Sequence, residues 1–273
     1  MTFGQRLATA IAGRGRLCVG IDPHPQLLDA WGLDANVQGL ARFAQTCIDA
    51  LAGEVAVLKP QAAFFEAYGS AGMRVLEETI AGAQAAGALV LLDVKRGDIG
   101  TTMAAYAQAY LGDGSPLAAD AVTLSPYLGF GSLAPALELA GTTGRGVFVL
   151  ARTSNPESAG LQGALVDGRS VAQTMIDEAT ALNAGADGLG SVGVVVGATT
   201  GHGLNLGQLN GPILAPGLGA QGATPDDIRR VFGDAGNLVL PSTSRDVLGQ
   251  GPNVDALRDA ARRTRDAVAV ALA

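Results

Sequence analysis

The sequence predicts an α/β fold, a single TIM (β/α)8 barrel over residues 1–273, on three observations. Eight short apolar runs recur along the chain, each followed by a helical pattern or a polar loop. No shift in composition marks a linker between domains. Asp22, Lys59, Asp93, Lys95 and Ser125 stand at the ends of the first four runs, and active sites of this fold are built at the C-terminal ends of the strands. An open doubly wound sheet is the alternative. It is disfavoured because no Gly-x-Gly-x-x-Gly follows the first run.

The elements follow in order. Residues 2–13 read as an amphipathic helix, with Phe3, Leu7 and Ile11 at helical spacing. Residues 17–22 form a buried strand ending in Asp22, stopped by Pro23 and Pro25. Val37, Leu40, Ala44, Cys47, Ile48 and Leu51 mark a helix, and residues 55–60 a second strand carrying Lys59. A helix over 64–86 closes at Gly87. The third strand is the run from 88 to 92, which delivers Asp93 and Lys95 to its tip on one face and Arg96 on the other. Gly97 breaks it and Asp98 opens the next segment, a helix with Met103, Tyr106 and Tyr110. Strands at 121–126 and 146–151 enclose a helix around 133–140, and a polar loop at 152–157 leads to a helix at about 171–182. The sixth strand covers 192–198, and the Gly-rich link from 199 to 211 leaves room for only a stunted helix. Strands at 212–217 and 237–242 bracket a short helix at 226–232, and a helix at 253–272 ends the pattern.

Composition narrows the function. Hydrophobic residues make up 48% of the chain and aromatics 4%, which suits α/β layers. The formal charge of −7 argues against a nucleic-acid surface, which needs a basic stripe, but leaves room for a small anionic substrate. No apolar run approaches the ~20 residues that span a bilayer, and the first residues lack a signal-peptide pattern. A cytoplasmic enzyme is expected. Cys18 and Cys47 read as buried thiols. With two histidines, His24 and His202, both read as turn or loop residues, neither a His-rich metal site nor a Ser-His-Asp triad is supported.

Two constellations carry chemistry. Lys59, Asp93, Lys95 and Asp98 would converge at one barrel mouth, where alternating charges hold each other ionised. An ammonium so held can donate a proton and stabilise developing negative charge. The competing reading is a structural ion-pair network that closes the barrel top. The second constellation is Gly217, Gly219, Gln221 and Gly222 after the seventh strand, with Arg245 after the eighth. Loops after these strands are the usual phosphate site of the fold, although tight turns in a Gly-rich chain would look the same. Arg96 is read as a solvent or interface residue, Trp31 as packing, and residues 153–156 as turn or lid.

These residues resemble a known family. Asp93-Val-Lys95-Arg-Gly-Asp98-Ile-Gly-Thr-Thr102 is similar to the signature of the orotidine 5′-phosphate decarboxylases. Residues 57–66, Ser125-Pro-Tyr-Leu-Gly129 and Pro216-Gly-Leu-Gly-Ala-Gln221-Gly222 resemble that family in the same order, most closely its type 2 bacterial branch, which includes the actinobacterial enzymes. One departure lies after the eighth strand, where Ser244-Arg245 stands in place of Gly-Arg.

The resemblance implies conversion of orotidine 5′-monophosphate to UMP and CO₂ in pyrimidine biosynthesis, with no metal and no cofactor. It implies Lys95 as proton donor, Asp93 beside the substrate carboxylate, and Lys59 and Asp22 on the ribose and charge network. Ser125 would read the pyrimidine edge, and Gln221 and Arg245 would hold the phosphate. Asp98 and Thr102 would reach a neighbouring subunit's site, making a homodimer. Two rivals remain: a magnesium-dependent decarboxylase of 3-keto sugar phosphates in the same superfamily, and a non-catalytic phosphate-binding barrel. The Arg-Gly-Asp-Ile-Gly-Thr-Thr continuation speaks against the first, and the intact set Lys59, Asp93, Lys95 and Asp98 against the second.

Overall fold

Eight parallel strands close on themselves in a computed structural model that describes residues 1–199, 201 and 203–272. In chain order the strands are β1 (Cys18–Ile21), β2 (Val57–Pro60), β3 (Leu89–Arg96), β4 (Ala121–Leu124), β5 (Gly146–Arg152), the hairpin pair β6 (Leu165–Val166) and β7 (Arg169–Ser170), β8 (Val192–Val196), β9 (Ile213–Pro216) and β10 (Val239–Thr243). The barrel runs β1-β10-β9-β8-β5-β4-β3-β2, and Cys18 facing Ser242 on one side and Val57 on the other closes it. The hairpin β6–β7 stands outside.

Alternation along the strands builds the interior in layers. Cys18, Val57, Leu91, Ala121, Phe148, Val195, Leu214 and Leu240, one from each barrel strand, form an apolar floor. The helix Phe3–Arg14 plugs that floor from the N-terminal side through Phe3 and Leu7, with Phe3 edge-on to Phe148 at 6.0 Å. A capping box between Thr2 and Gln5 starts this helix. The larger core lies between the strands and the surrounding helices. Trp31 belongs to it, packed on Phe43, its indole N–H donating to the Leu248 carbonyl at 2.9 Å.

Several elements differ from the sequence reading. The helix expected over 64–86 is two, Ala62–Glu66 and Gly69–Ala85; Gly69 adopts φ +62, a left-handed turn that breaks the continuous apolar pattern. A helix runs over Pro25–Ala30, led by proline at its first turn, where the sequence reading has only a strand stop. The polar loop after β5 carries a one-turn helix, Ser158–Gln162, and the β6–β7 hairpin. Between β8 and β9 no helix forms among the described residues, as the glycine content suggested; His202 lies outside the described residues. No helix is long and apolar enough to cross a membrane among the described residues.

Candidate active site

Two residues beyond the apolar floor, the same alternation brings a polar layer to the C-terminal mouth. Lys59 follows Val57, Asp93 follows Leu91, and Thr123 follows Ala121; all three are buried. They line a cavity of about 330 Å³ with Asp22, Gln61 and Lys95.

Asp93 is the centre of the charge network. Its Oδ2 accepts from the Lys59 ammonium at 3.0 Å. Its Oδ1 accepts from the Lys95 ammonium at 2.6 Å and from the Thr123 hydroxyl at 2.8 Å. Burial alone would push the Asp93 carboxyl up, but Lys59 and then Lys95 hold it well below the usual carboxylate range. Burial pulls Lys59 down, yet Asp93 and Asp22 more than offset it, so its ammonium titrates above the usual lysine range. Asp93 and Lys59 are therefore a fixed pair of opposite charges at neutral pH. Cys18 lies beneath it, its thiol pushed up to about 12 chiefly by burial, and with Cys47 it is a free, buried thiol.

Lys95 differs from Lys59 in two ways. Its side chain is 45% exposed, against 9% for Lys59, so its ammonium reaches the open part of the cavity. Its backbone is left-handed, φ +46, at a shift in the β3–β4 register between Leu92 and Arg96. Such a conformation costs a non-glycine residue about 1–3 kcal/mol. The Lys95 amide donates to the Thr123 hydroxyl at 3.0 Å, so Thr123 fixes both the backbone of Lys95 and the carboxylate it faces.

A second cavity of about 280 Å³ adjoins the first and shares Asp22, His24, Lys59, Pro216 and Gln221 with it. Its walls are the loop after β9 and the turn after β10, with Arg245 at its rim. The β9 loop folds on itself, Gly219 N–H donating to Ala223 at 2.8 Å and Ala223 N–H to Gly217 at 3.1 Å. Gly219 sits at φ +80, and a Cβ there would collide with the Asp246 carboxylate. The hydroxyls of Thr243 and Ser244 and the Asp22 Oδ1 are buried without a partner among the described residues. Unpaired buried polar atoms are costly, and here they border a cavity a polar ligand can fill.

The structure brings Asp22, Lys59, Asp93, Lys95, Gln221 and Arg245 around these adjoining cavities. It does not bring Asp98, Thr102 or Ser125 there. Asp98 accepts from the Ile99 amide at 2.8 Å, and Thr102 is exposed on the following helix, Gly100–Leu111. Ser125 lines a separate cavity of about 140 Å³, because β4 ends at Leu124 and the alternation stops there. Thr153 and Ser154 take the corresponding place in the charged cavity, and the Ser154 hydroxyl donates to Gln221 Oε1 at 3.4 Å. Counting by twos from Phe148 would select Arg152; a register shift between Leu150 and Arg152 brings in its neighbours instead. The same counting from Ala121 selects Thr123, which the charge pattern of the strand ends does not mark. His24, read as a turn residue, lines both cavities, edge-on to Phe64 with ring centroids 4.3 Å apart.

Comparison with known proteins gives a consistent result. Residues 15–260 match the family model described as orotidine 5′-phosphate decarboxylase / HUMPS family. Over 264 residues the chain is 62% identical to the orotidine 5′-phosphate decarboxylase of Salinispora tropica, covering 96% of this chain and 95% of that one. It is 59% identical to the enzyme of that name from Streptomyces coelicolor, with the same coverage. A crystal structure of a candidate orotidine 5′-phosphate decarboxylase from Streptomyces avermitilis superposes with a TM-score of 0.97 at 57% identity, covering 99% of this chain and 96% of that one. The Leishmania donovani OMP decarboxylase superposes at 0.80 and 28% identity, covering 100% of this chain and 99% of that one.

Proposed function

The chain belongs to the orotidine 5′-phosphate decarboxylase family, and from that membership we propose how its own residues convert orotidine 5′-monophosphate to UMP and CO₂. The observation that carries the proposal is the Lys59–Asp93–Lys95 array, with one ammonium buried and one exposed to the cavity. The substrate carboxylate lies beside Asp93 and Lys95. The C6–carboxyl bond breaks, its electron pair stays on C6, and the Lys95 ammonium transfers a proton there. CO₂ departs, and the neutral amine of Lys95 regains its proton from water. An ammonium already fixed by a carboxylate stabilises the developing carbanion without reorganising. Asp93 holds the Lys95 ammonium in place until the proton moves.

The rest of the substrate follows the two cavities. Asp22, whose Oδ1 lacks a partner, and Lys59 take the ribose hydroxyls between them. Ser154, joined to Gln221, reads the pyrimidine edge in place of Ser125. Gln221, Arg245 and the free hydroxyls of Thr243 and Ser244 take the phosphate. Phosphate binding far from C6 supplies energy that orients the reacting end. Replacing Arg245 with Ala should weaken UMP binding roughly 10- to 100-fold, the worth of a charge-assisted contact, while uridine binds as before; calorimetry with both ligands checks this. Equal affinities for UMP in the two proteins would remove Arg245 from the phosphate site.

Three finer points belong to the same proposal. The reaction is read as metal-free, a reading supported by both Asp93 oxygens being engaged by ammonium and hydroxyl donors. The working unit is a homodimer, supported by Asp98 and Thr102 standing outside their own cavity beside Ile99, which is 62% exposed. The location is cytoplasmic, in keeping with two unpaired thiols. The 3-keto sugar-phosphate reading is disfavoured, because relatives 59–62% identical along nearly the whole chain are named for the orotidine reaction.

The deciding assay follows the fall in ultraviolet absorbance when the purified protein meets orotidine 5′-monophosphate in EDTA. Full conversion to UMP is expected, from a particle that sediments as two chains. Turnover only after magnesium is restored, or only of a keto-sugar phosphate, would overturn the proposal.

A further inference from the structure

The left-handed backbone of Lys95 needs a restraint that the catalytic array does not fully provide. Thr123 and Asp93 hold Lys95 from inside the barrel. A substrate anion beside Asp93 competes for the same ammonium, so the inner restraint weakens when chemistry is about to occur. Thr123 then holds the Lys95 amide on its N-terminal side only, and the restraint on its C-terminal side comes through the next residue, because the peptide plane after Lys95 is shared with Arg96.

Arg96 is held on every side available to it. Its carbonyl accepts from the Ser125 amide at 2.8 Å, tying the backbone after Lys95 to the end of β4. Its guanidinium is ion-paired with Glu66, the last residue of the helix Ala62–Glu66 that follows β2. The same group lies over the Tyr106 ring, 5.8 Å from the centroid, on the helix Gly100–Leu111. It also reaches back to the Val94 carbonyl at 3.4 Å. Gly97 completes the fixture: a Cβ there would run into the Ser125 carbonyl. One side chain thus joins the tip of β3 to the elements that follow β2 and β3, and it does so on the face opposite the cavity.

We propose that Arg96, through Glu66 and Tyr106, is a positioning residue that keeps Lys95 left-handed and so aims its ammonium at the reacting carbon. Arg96 lines neither of the two adjoining cavities and so is not placed as a catalytic residue. The ion pair is only partly buried, with side chains 30% and 32% exposed, and such pairs add little to global stability. Its loss is therefore read in the alignment of Lys95 rather than in unfolding. If the restraint goes, the plane between residues 95 and 96 can rotate, Lys95 can relax to negative φ, and the ammonium is displaced on the scale of an ångström. Displacements of that size cost about 100-fold in rate.

The inference rests on Lys95 being the proton donor, and the test separates the two. Arg96→Met keeps the aliphatic stem and removes the charge. The expected result is kcat lower by about 10- to 100-fold, with KM and UMP affinity within about threefold and an unchanged melting temperature. Arg96→Lys should recover part of kcat. Glu66→Gln should lower kcat in the same sense, and the double variant should be no worse than Arg96→Met, since both act on one fixture. A crystal structure of Arg96→Met should have Lys95 at negative φ. An unchanged kcat, or a Lys95 that keeps its left-handed backbone, would overturn the inference. A fall in kcat matched by a lower melting temperature and weaker UMP binding would overturn it too, as a merely structural effect. If the wild-type protein proved inert toward orotidine 5′-monophosphate, the functional reading would fail, while the Lys95 backbone in Arg96→Met would still decide the positioning role.

Discussion

Replacing Lys95 with Ala should lower kcat on orotidine 5′-monophosphate by at least about 10⁴-fold while UMP still binds within about tenfold of wild type. The reasoning is differential. The Lys95 ammonium is the more exposed charged donor of the array, 45% against 9% for Lys59, and it acts twice, on the carbanion and as the proton source. General acids contribute about 10²–10⁴ and a preorganised charge a comparable factor; the two act through one group and do not simply multiply. Ground-state affinity is held elsewhere, by the phosphate cavity and the ribose groups. Single-turnover decay of absorbance gives the rate, and calorimetry gives the affinity. Turnover near the wild-type rate would remove Lys95 as proton donor. Loss of UMP binding along with turnover would mean that the lysine holds the pocket together instead.

Asp93→Asn carries the second large effect, on stability as well as rate. Asp93 is the shared counter-ion of a buried and a half-exposed lysine. Removing its charge leaves Lys59 buried with Asp22 as its remaining acidic neighbour. Breaking a buried pair at one partner costs about 3–5 kcal/mol, and turnover should fall by about 10³-fold or more as both ammoniums lose their alignment.

The pH dependence is specific. The folded-state pKa of Asp93 lies below its unfolded value of about 3.9. Its contribution is therefore complete above pH ~4 and is lost as pH falls from there toward the folded value. Lys59, raised above its unfolded value of about 10.4, contributes fully below that pH and loses its contribution above it. Denaturant melts of the wild type and Asp93→Asn should thus differ by a constant amount from pH 5 to 8 and converge in acid. A difference that stays the same down to pH 2, or no difference at pH 7, would refute this account of the array.

The barrel was legible in the chain because its cause is local. An apolar run of strand length ending in a charge can be recognised without knowing its neighbours, and eight of them in series leave few ways to close. The charged triad was legible for the same reason: Lys59, Asp93 and Lys95 lie at strand ends, and alternation assigns their face. Helix detail was less legible. The break at Gly69 interrupts an apolar pattern that continues across it, and the hairpin after β5 exposes Leu165 and Val166, giving no amphipathic signal.

The sequence by itself determined the fold class, the strand order along the chain, the family, and three of the four groups it assigned to the acid–base array, Lys59, Asp93 and Lys95 but not Asp98, because these depend on residue type at fixed spacing. Only the tertiary structure decided which strand-end residues enter the cavity. Ser125 turns away because β4 stops at Leu124, and Ser154 turns in because β5 slips in register against β8. It also decided that Lys95 is left-handed and that Arg96 is clamped behind it. Each of these depends on where one strand ends relative to its neighbour, and a one-residue difference reverses the face a side chain meets.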